Sequence, residues 1–236
     1  MFLANALKLQ TKVSAGINLL DIAGLQVWLK NDTDVTFDGN GVSQWQDQTS
    51  NNNHAAQSRD GNKPAYNAGK VVFDGSNDTM LITEINLGAF TIIMALNPDE
   101  AGTLSNDAPL GRAGNDVIKM YRASDDERIG IKANGVASEI NPMSSAFPTA
   151  QFLLTCTRNA SSGLFTTRIN GSAVGSVATT ITNLFDVTQI GSGDIANTQY
   201  SGDLNEVAIW NVELTGSDLT NAENNRSRWC RMGRLR

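Results

Sequence analysis

Two carboxylates, Asp74 and Asp78, stand four positions apart in the run Val71-Val72-Phe73-Asp74-Gly75-Ser76-Asn77-Asp78-Thr79-Met80-Leu81-Ile82. Short β-type stretches flank five residues that favour turns, so the run predicts a tight hairpin. Carboxylates on so short a loop have two uses: capping each other's backbone amides, or jointly holding a hard cation. Other chemistry is sparse. His54 is the only histidine, which removes the common histidine-dependent triads unless His54 itself serves, and no Cys/His spacing suits zinc. Gly111-Arg112-Ala113-Gly114 lacks the lysine and helix of a phosphate loop. Asp125-Asp126-Glu127 between Arg122 and Arg128 reads as a loop with local ion pairs. Cys156 lies in an apolar run and Cys230 among arginines; idle thiols suit them better than one long-range disulfide.

The elements that must position such residues are strands. Of 236 residues, 40% are hydrophobic and only 18% charged, enough for one sizeable core and poor in the charged faces of surface helices. Alternating runs at Leu25–Leu29, Gly41–Asp47, Phe152–Thr157 and Glu206–Trp210, and paired runs around Asn134-Gly135 and Asn170-Gly171, are spaced like a sandwich. Residues between Leu29 and Gly41 read as an Asn/Asp/Gly loop, and Thr215-Gly216-Ser217-Asp218-Leu219 opens a short helix with Ser217 as N-cap. The chain divides into an N-terminal arm (1–24), a single domain (25–225) and a basic tail (226–236).

A net charge of −6 and a pI near 4.8 argue against nucleic-acid binding, which needs a basic surface. Arg226, Arg228, Arg231, Arg234 and Arg236 crowd the tail and leave the body more acidic still. Lys8 and Lys12 interrupt the apolar N-terminus, so it does not read as a signal peptide, and nothing approaches a membrane span. The sequence therefore predicts a protein made in the cytoplasm and released without secretion.

The order Val27-Trp28-Leu29, Val42-Ser43-Gln44-Trp45-Gln46-Asp47, a run of asparagines, then Val72-Phe73-Asp74-Gly75 with Asp78, resembles the opening half of the laminin-G-like, concanavalin A-like lectin/glucanase jelly rolls. Phe90–Leu96 resembles their first core strand, Leu164–Val174 their Asn-Gly hairpin, and Ser201–Trp210 with Leu214 their closing strands. The resemblance covers residues 25 to 225 and implies an all-β, two-sheet antiparallel jelly roll with a short C-terminal helix. It implies calcium as the one cofactor to consider, with Asp74, Asp78, Asp203 and Glu206 as ligands, two loops having to converge. Sugar binding is the family's widespread function. Tyr66, Tyr121 and Tyr200 are the loop-side rings for it, whereas Trp28, Trp45 and Trp210 fall in strand runs and read as core. A glucanase of this fold would carry Glu-x-Asp-x-x-Glu on one strand; no such run exists here, so the expectation is non-enzymatic.

Such jelly rolls occur in bacteriophage structural proteins, and an extracellular-type fold without signal peptide or disulfide framework suits a particle released by lysis. The leading expectation is a virion structural protein, a capsid decoration, tail fibre or appendage subunit. It would dock on other virion proteins or on its own copies through Phe2, Leu3 and Leu7 and the five tail arginines, and bind surface polysaccharide. A stand-alone carbohydrate-binding module is the alternative, and a degenerate glucanase the third reading.

Overall fold

A computed structural model describes residues 18–99, 107–112, 116–123, 126–133, 147–148, 150–179, 183–193 and 199–225. Sixteen strands are seen: β1 (Leu25–Leu29), β2 (Val35–Asp38), β3 (Gly41–Trp45), β4 (Ala55–Ala56), β5 (Ala65–Asn67), β6 (Lys70–Asp74), β7 (Met80–Leu87), β8 (Phe90–Pro98), β9 (Asp107–Arg112), β10 (Asp116–Ala123), β11 (Asp126–Lys132), β12 (Phe152–Arg158), β13 (Leu164–Ile169), β14 (Ser172–Ala178), β15 (Phe185–Ile190) and β16 (Ser201–Trp210). They form two antiparallel sheets, ordered β14-β13-β12-β8-β16-β6-β5, with β1 also on β16, and β11-β10-β9-β15-β7-β4-β3-β2. This is the all-β sandwich that the strand spacing implies. One helix, α1 (Gly216–Asn224), follows β16.

The alternation of β7, with Met80, Ile82, Ile85 and Leu87 buried, places one face of the second sheet on the core and the other in solvent. The first sheet is buried on both faces at its centre. Ile92, Met94 and Leu96 of β8 enter the inter-sheet core, while Ile93 and Ala95 join an outer cluster with Leu19, Ile22, Trp28, Leu153, Ala208, Trp210, Leu214 and Ala222. Leu19 and Ile22, from the segment read as arm, thus pack on the domain. Arg168 pins α1 over this cluster through Glu223, with Nε to Oε1 at 2.8 Å. Trp28, Trp45 and Trp210 are all buried, and so is Cys156, whose thiol burial pushes up to about 12; Cys230 lies outside the described residues.

Local differences have local causes. Val35–Asp38 is a strand, not loop, because Gly39 and Asn40 make a two-residue hairpin to β3. The helix N-cap is Thr215, two residues earlier than Ser217. At the second hairpin Asn170 (φ 52°) and Gly171 (φ 83°) adopt the left-handed turn that the Asn-Gly pair predicts.

Asp47 ties β1 to the polar loop that follows β3. Its buried carboxylate accepts the amides of Trp28 (2.9 Å), Thr49 (3.0 Å) and Asn53 (3.0 Å) and the Thr49 hydroxyl (2.6 Å). Charged acceptors of buried amides are the costly kind to lose, since the donors left behind stay desolvated. Asp47→Ala is expected to cost about 2–4 kcal/mol of unfolding free energy, measured by urea denaturation.

Candidate functional site

The terminal strands β2 and β5 lie on the same side of the sandwich and close it. The Val42 amide donates to the Pro64 carbonyl at 2.7 Å, and a Cβ on Gly41 (φ +123°) would stand 2.6 Å from that same oxygen, so only glycine lets the two backbones approach. This closure lays Phe37 of β2 against Tyr66 of β5, ring centroids 4.4 Å apart and planes 30° from parallel. Phe37 is 53% exposed, which leaves its outer ring face to solvent.

Polar groups lie on the same strands and on their turns. The Tyr66 hydroxyl donates to Asp32 Oδ1. Burial, and then the Asp32 carboxylate, push the phenol up to about 12, so it remains a donor. Asp32 is held in a left-handed turn (φ 47°) with Gly69 closely packed on it, where a Cβ would meet its Cγ at 3.2 Å. Asp38 accepts from the Asn40 amide (2.8 Å) and from Lys63 Nζ (3.1 Å), which also reaches Asp60 (2.7 Å). Asp34 accepts from Gln48 Nε2 at 3.0 Å. An exposed ring face beside fixed carboxylate acceptors can take the C–H face of a sugar ring and the hydroxyls at its edge.

The three tyrosines named from sequence are not brought together. Tyr66 lies in the pair just described. Tyr121, half-buried on β10, stacks under the Arg128 guanidinium at 4.6 Å, towards the end of the second sheet remote from β2. Tyr200 corrects the expectation: it is fully buried, edge-on to Phe73, with its hydroxyl donated to the Asp203 carbonyl at 3.0 Å, and so has no ring face to offer. Phe37 was missed because its segment read as loop; the signal was there, in Val35-Thr36-Phe37-Asp38 running into Gly39-Asn40.

The four carboxylates considered for calcium do not converge. Asp78 Oδ2 accepts the Asp74 amide (3.0 Å), while Asp74 Oδ1 accepts those of Ser76 (2.8 Å) and Asn77 (3.3 Å), the capping use of the hairpin acids. Asp203 pairs with Lys70 at 2.6 Å. Glu206 is buried on the outer side of the first sheet, accepting from Trp28 Nε1 at 2.5 Å. Among the described residues no three His, Cys, Asp or Glu side chains group so as to hold a metal, and these four do not fit a calcium ion. Phe2, Leu3, Leu7 and Arg226, Arg228, Arg231, Arg234 and Arg236 lie outside the described residues.

A second polar cluster, on the open face of the second sheet, is self-satisfied. Asp186 accepts from Arg112 Nη1 and from Asn86 Nδ2 (2.7 Å), and Asn86 also reaches Glu84 (3.0 Å).

No protein-family model and no curated protein matches the chain. Solved structures do. The fourth domain of AbnA, an extracellular GH43 arabinanase of Geobacillus stearothermophilus solved in complex with arabinotriose, is 16% identical with a TM-score of 0.61, over 84% of this chain and 97% of that domain. The binding domain of Paraclostridial Mosquitocidal Protein 1 is 13% identical, TM-score 0.61, over 88% of this chain and 53% of that one. Trypanosoma rangeli sialidase in complex with sialic acid is 16% identical, TM-score 0.60, over 89% of this chain but 34% of the enzyme. At these identities the likeness shows the fold alone: a two-sheet antiparallel jelly-roll sandwich.

Three buried carboxyls set a pH dependence. Desolvation pushes Glu206 up to about 7 from 4.5, and Asp78 and Asp107 up to about 6 from 3.8. Each binds more protons folded than unfolded across these windows, so stability is fully present below the unfolded value and falls as pH rises through the folded one. Thermal or urea midpoints are expected to drop between about pH 4 and about pH 7, with Glu206→Gln, which still accepts from Trp28, removing a share of order 2 kcal/mol from the upper half of the drop.

Proposed function

We propose that this chain is a non-enzymatic glycan-binding module whose contact surface is the Phe37–Tyr66 pair with Asp32. The observation that carries the reading is a large aromatic ring left half open to water on a rigid strand, backed by a second ring whose hydroxyl is already committed to a fixed carboxylate. An exposed phenylalanine on its own is ordinary. One stacked on a tyrosine whose hydroxyl meets a carboxylate has the composition of a sugar platform, because an apolar face and a directional acceptor belong to one cluster. The carbohydrate named with the arabinanase domain supports this reading by analogy of fold. Binding is favoured over hydrolysis because the carboxylates nearest the rings are tied to Tyr66, Gln48, Lys63 and backbone amides, not set as an opposed acid and base across a gap.

A place on a bacteriophage particle, and assembly with other virion proteins or further copies, are carried by the apolar arm and the arginine tail alone; none of the neighbours named above is a virion component. Deleting Arg226 to Arg236 is expected to abolish salt-sensitive particle association if that second reading holds, since ion pairs of an exposed basic segment are screened. Unchanged incorporation would leave the module reading standing by itself.

Phe37→Ala is expected to weaken binding to a glycan array by about tenfold or more while leaving the unfolding midpoint nearly unchanged, since truncating a contact aromatic costs binding and an exposed side chain contributes little to the core. Binding that survives this change at full strength would place the site elsewhere.

A further inference from the structure

The same site carries a statement about which glycans it accepts, and this inference rests on the reading of Phe37 and Tyr66 as the contact surface. The rings stand in a one-sided electrostatic setting. Asp32 meets Tyr66 directly, and Asp34, Asp38 and Asp60 lie along β2, its flanking turn and the loop before β5. The ammonium among them, Lys63, is only 6% exposed at its side chain and is already divided between Asp38 and Asp60 at 3.1 and 2.7 Å. Lys70, next along on β6, is held by Asp203 at 2.6 Å. Thus these two ammoniums are neutralised by acids, whereas Asp32 and Asp34 are met by neutral donors, the Tyr66 phenol and the Gln48 amide. The body of the chain adds to the bias, because the tail arginines have no acids among them and the rest therefore carries more negative charge than the net −6.

We infer that the site selects uncharged glycans and rejects carboxylated ones, with Asp32 as the specificity-determining residue. Asp32 acts in two ways. Its Oδ1 is occupied by the Tyr66 phenol, which holds the carboxylate of this exposed residue and leaves Oδ2 as an acceptor for sugar hydroxyls. The same charge opposes a uronate or sialate carboxylate brought to the ring by stacking, and like charges left without counterions are the usual means of excluding a wrong ligand. The φ of 47° at Asp32 is one that asparagine also tolerates. The charge can therefore be removed while the turn is kept.

The test titrates the full chain with arabino-, xylo- and gluco-oligosaccharides and with galacturonate and sialylated oligosaccharides of matched length, in low and in high salt. Neutral ligands are expected to bind, with carboxylated ones weaker by about tenfold or more at low ionic strength and the gap shrinking as salt screens the repulsion. Asp32→Asn is expected to narrow the gap at low salt. Carboxylated glycans that bind as tightly as neutral ones, and lose that binding in Phe37→Ala, overturn the charge selection while leaving the site in place. Absence of any Phe37-dependent glycan binding overturns both. A gap that is insensitive to salt and to Asp32→Asn also overturns the selection, because it would then arise from shape.

Discussion

The ladder between β8 and β16 is the constraint on which the rest of the molecule depends. It runs from Gly202 opposite Pro98 to Trp210 opposite Thr91 and is buried on both faces. Inward it supplies Met94, Leu96, Val207 and Ile209 to the inter-sheet core; outward, Ile93, Ala95, Ala208 and Trp210. A sheet covered on both sides needs something to cover it. Here the cover is made by β1 with its Trp28, by Leu19 and Ile22, and by α1. The chain entering the domain and the chain leaving it are therefore fixed by one apolar patch. Glu206 shows the cost: the strand carries a carboxylate into that patch, where burial raises it towards neutrality and the Trp28 indole is its side-chain partner.

From this centre the sheets extend to edges that are thinner and wetter, and the candidate site lies at one of them. β6 and β5 step outward from β16 in the first sheet, and β7, β4, β3 and β2 step outward in the second. Their ends meet where Gly41 allows backbone contact with Pro64. The aromatic pair is a product of that meeting: one ring comes from each sheet, and neither strand alone would make it. Rigidity comes from the closure, since Asp32, Tyr66 and Gly69 are mutually packed and Lys63 bridges β2 to the turn before β5.

This division explains what could be read from sequence. The sandwich was legible because β7, β13 and β16 carry clear apolar patterns and because Asn170-Gly171 demands a left-handed turn. The buried tryptophans were legible for the same reason. Half of the site was legible too: Tyr66 follows Pro64 in a polar loop, and aromatic residues in such places stand out. Phe37 did not stand out, for its strand is four residues long and three of them are exposed, so no periodicity accumulates. Tyr200 misled in the opposite sense. Glycines and asparagines precede it in the chain, yet Phe73 and the Asp203 carbonyl draw it inward. That is a tertiary outcome local composition does not carry. The hairpin acids Asp74 and Asp78 resolved to capping because their oxygens are taken up by the amides of Asp74, Ser76 and Asn77.

The site and the protection of the fold are also one piece of chemistry. Sheet edges invite pairing with other chains, and proteins blunt them with short strands and charged residues. β5 has three residues and is flanked by Lys63 and Lys70; β2 has four, is preceded by Asp34 and ends on Asp38. These charges keep the joined edge from acting as a template, and Asp32, in the turn before β2, is the fixed acceptor beside Tyr66. An aromatic at a charged edge meets two demands: its inner face shields the corner of the core beside Tyr66, and its outer face is too flat and too isolated to draw in a strand. A ligand that suits such a corner must be small in cross-section, apolar on one face and hydroxylated at its rim. A sugar ring has that shape, whereas an extended peptide would need backbone partners that the short, charged strands do not supply.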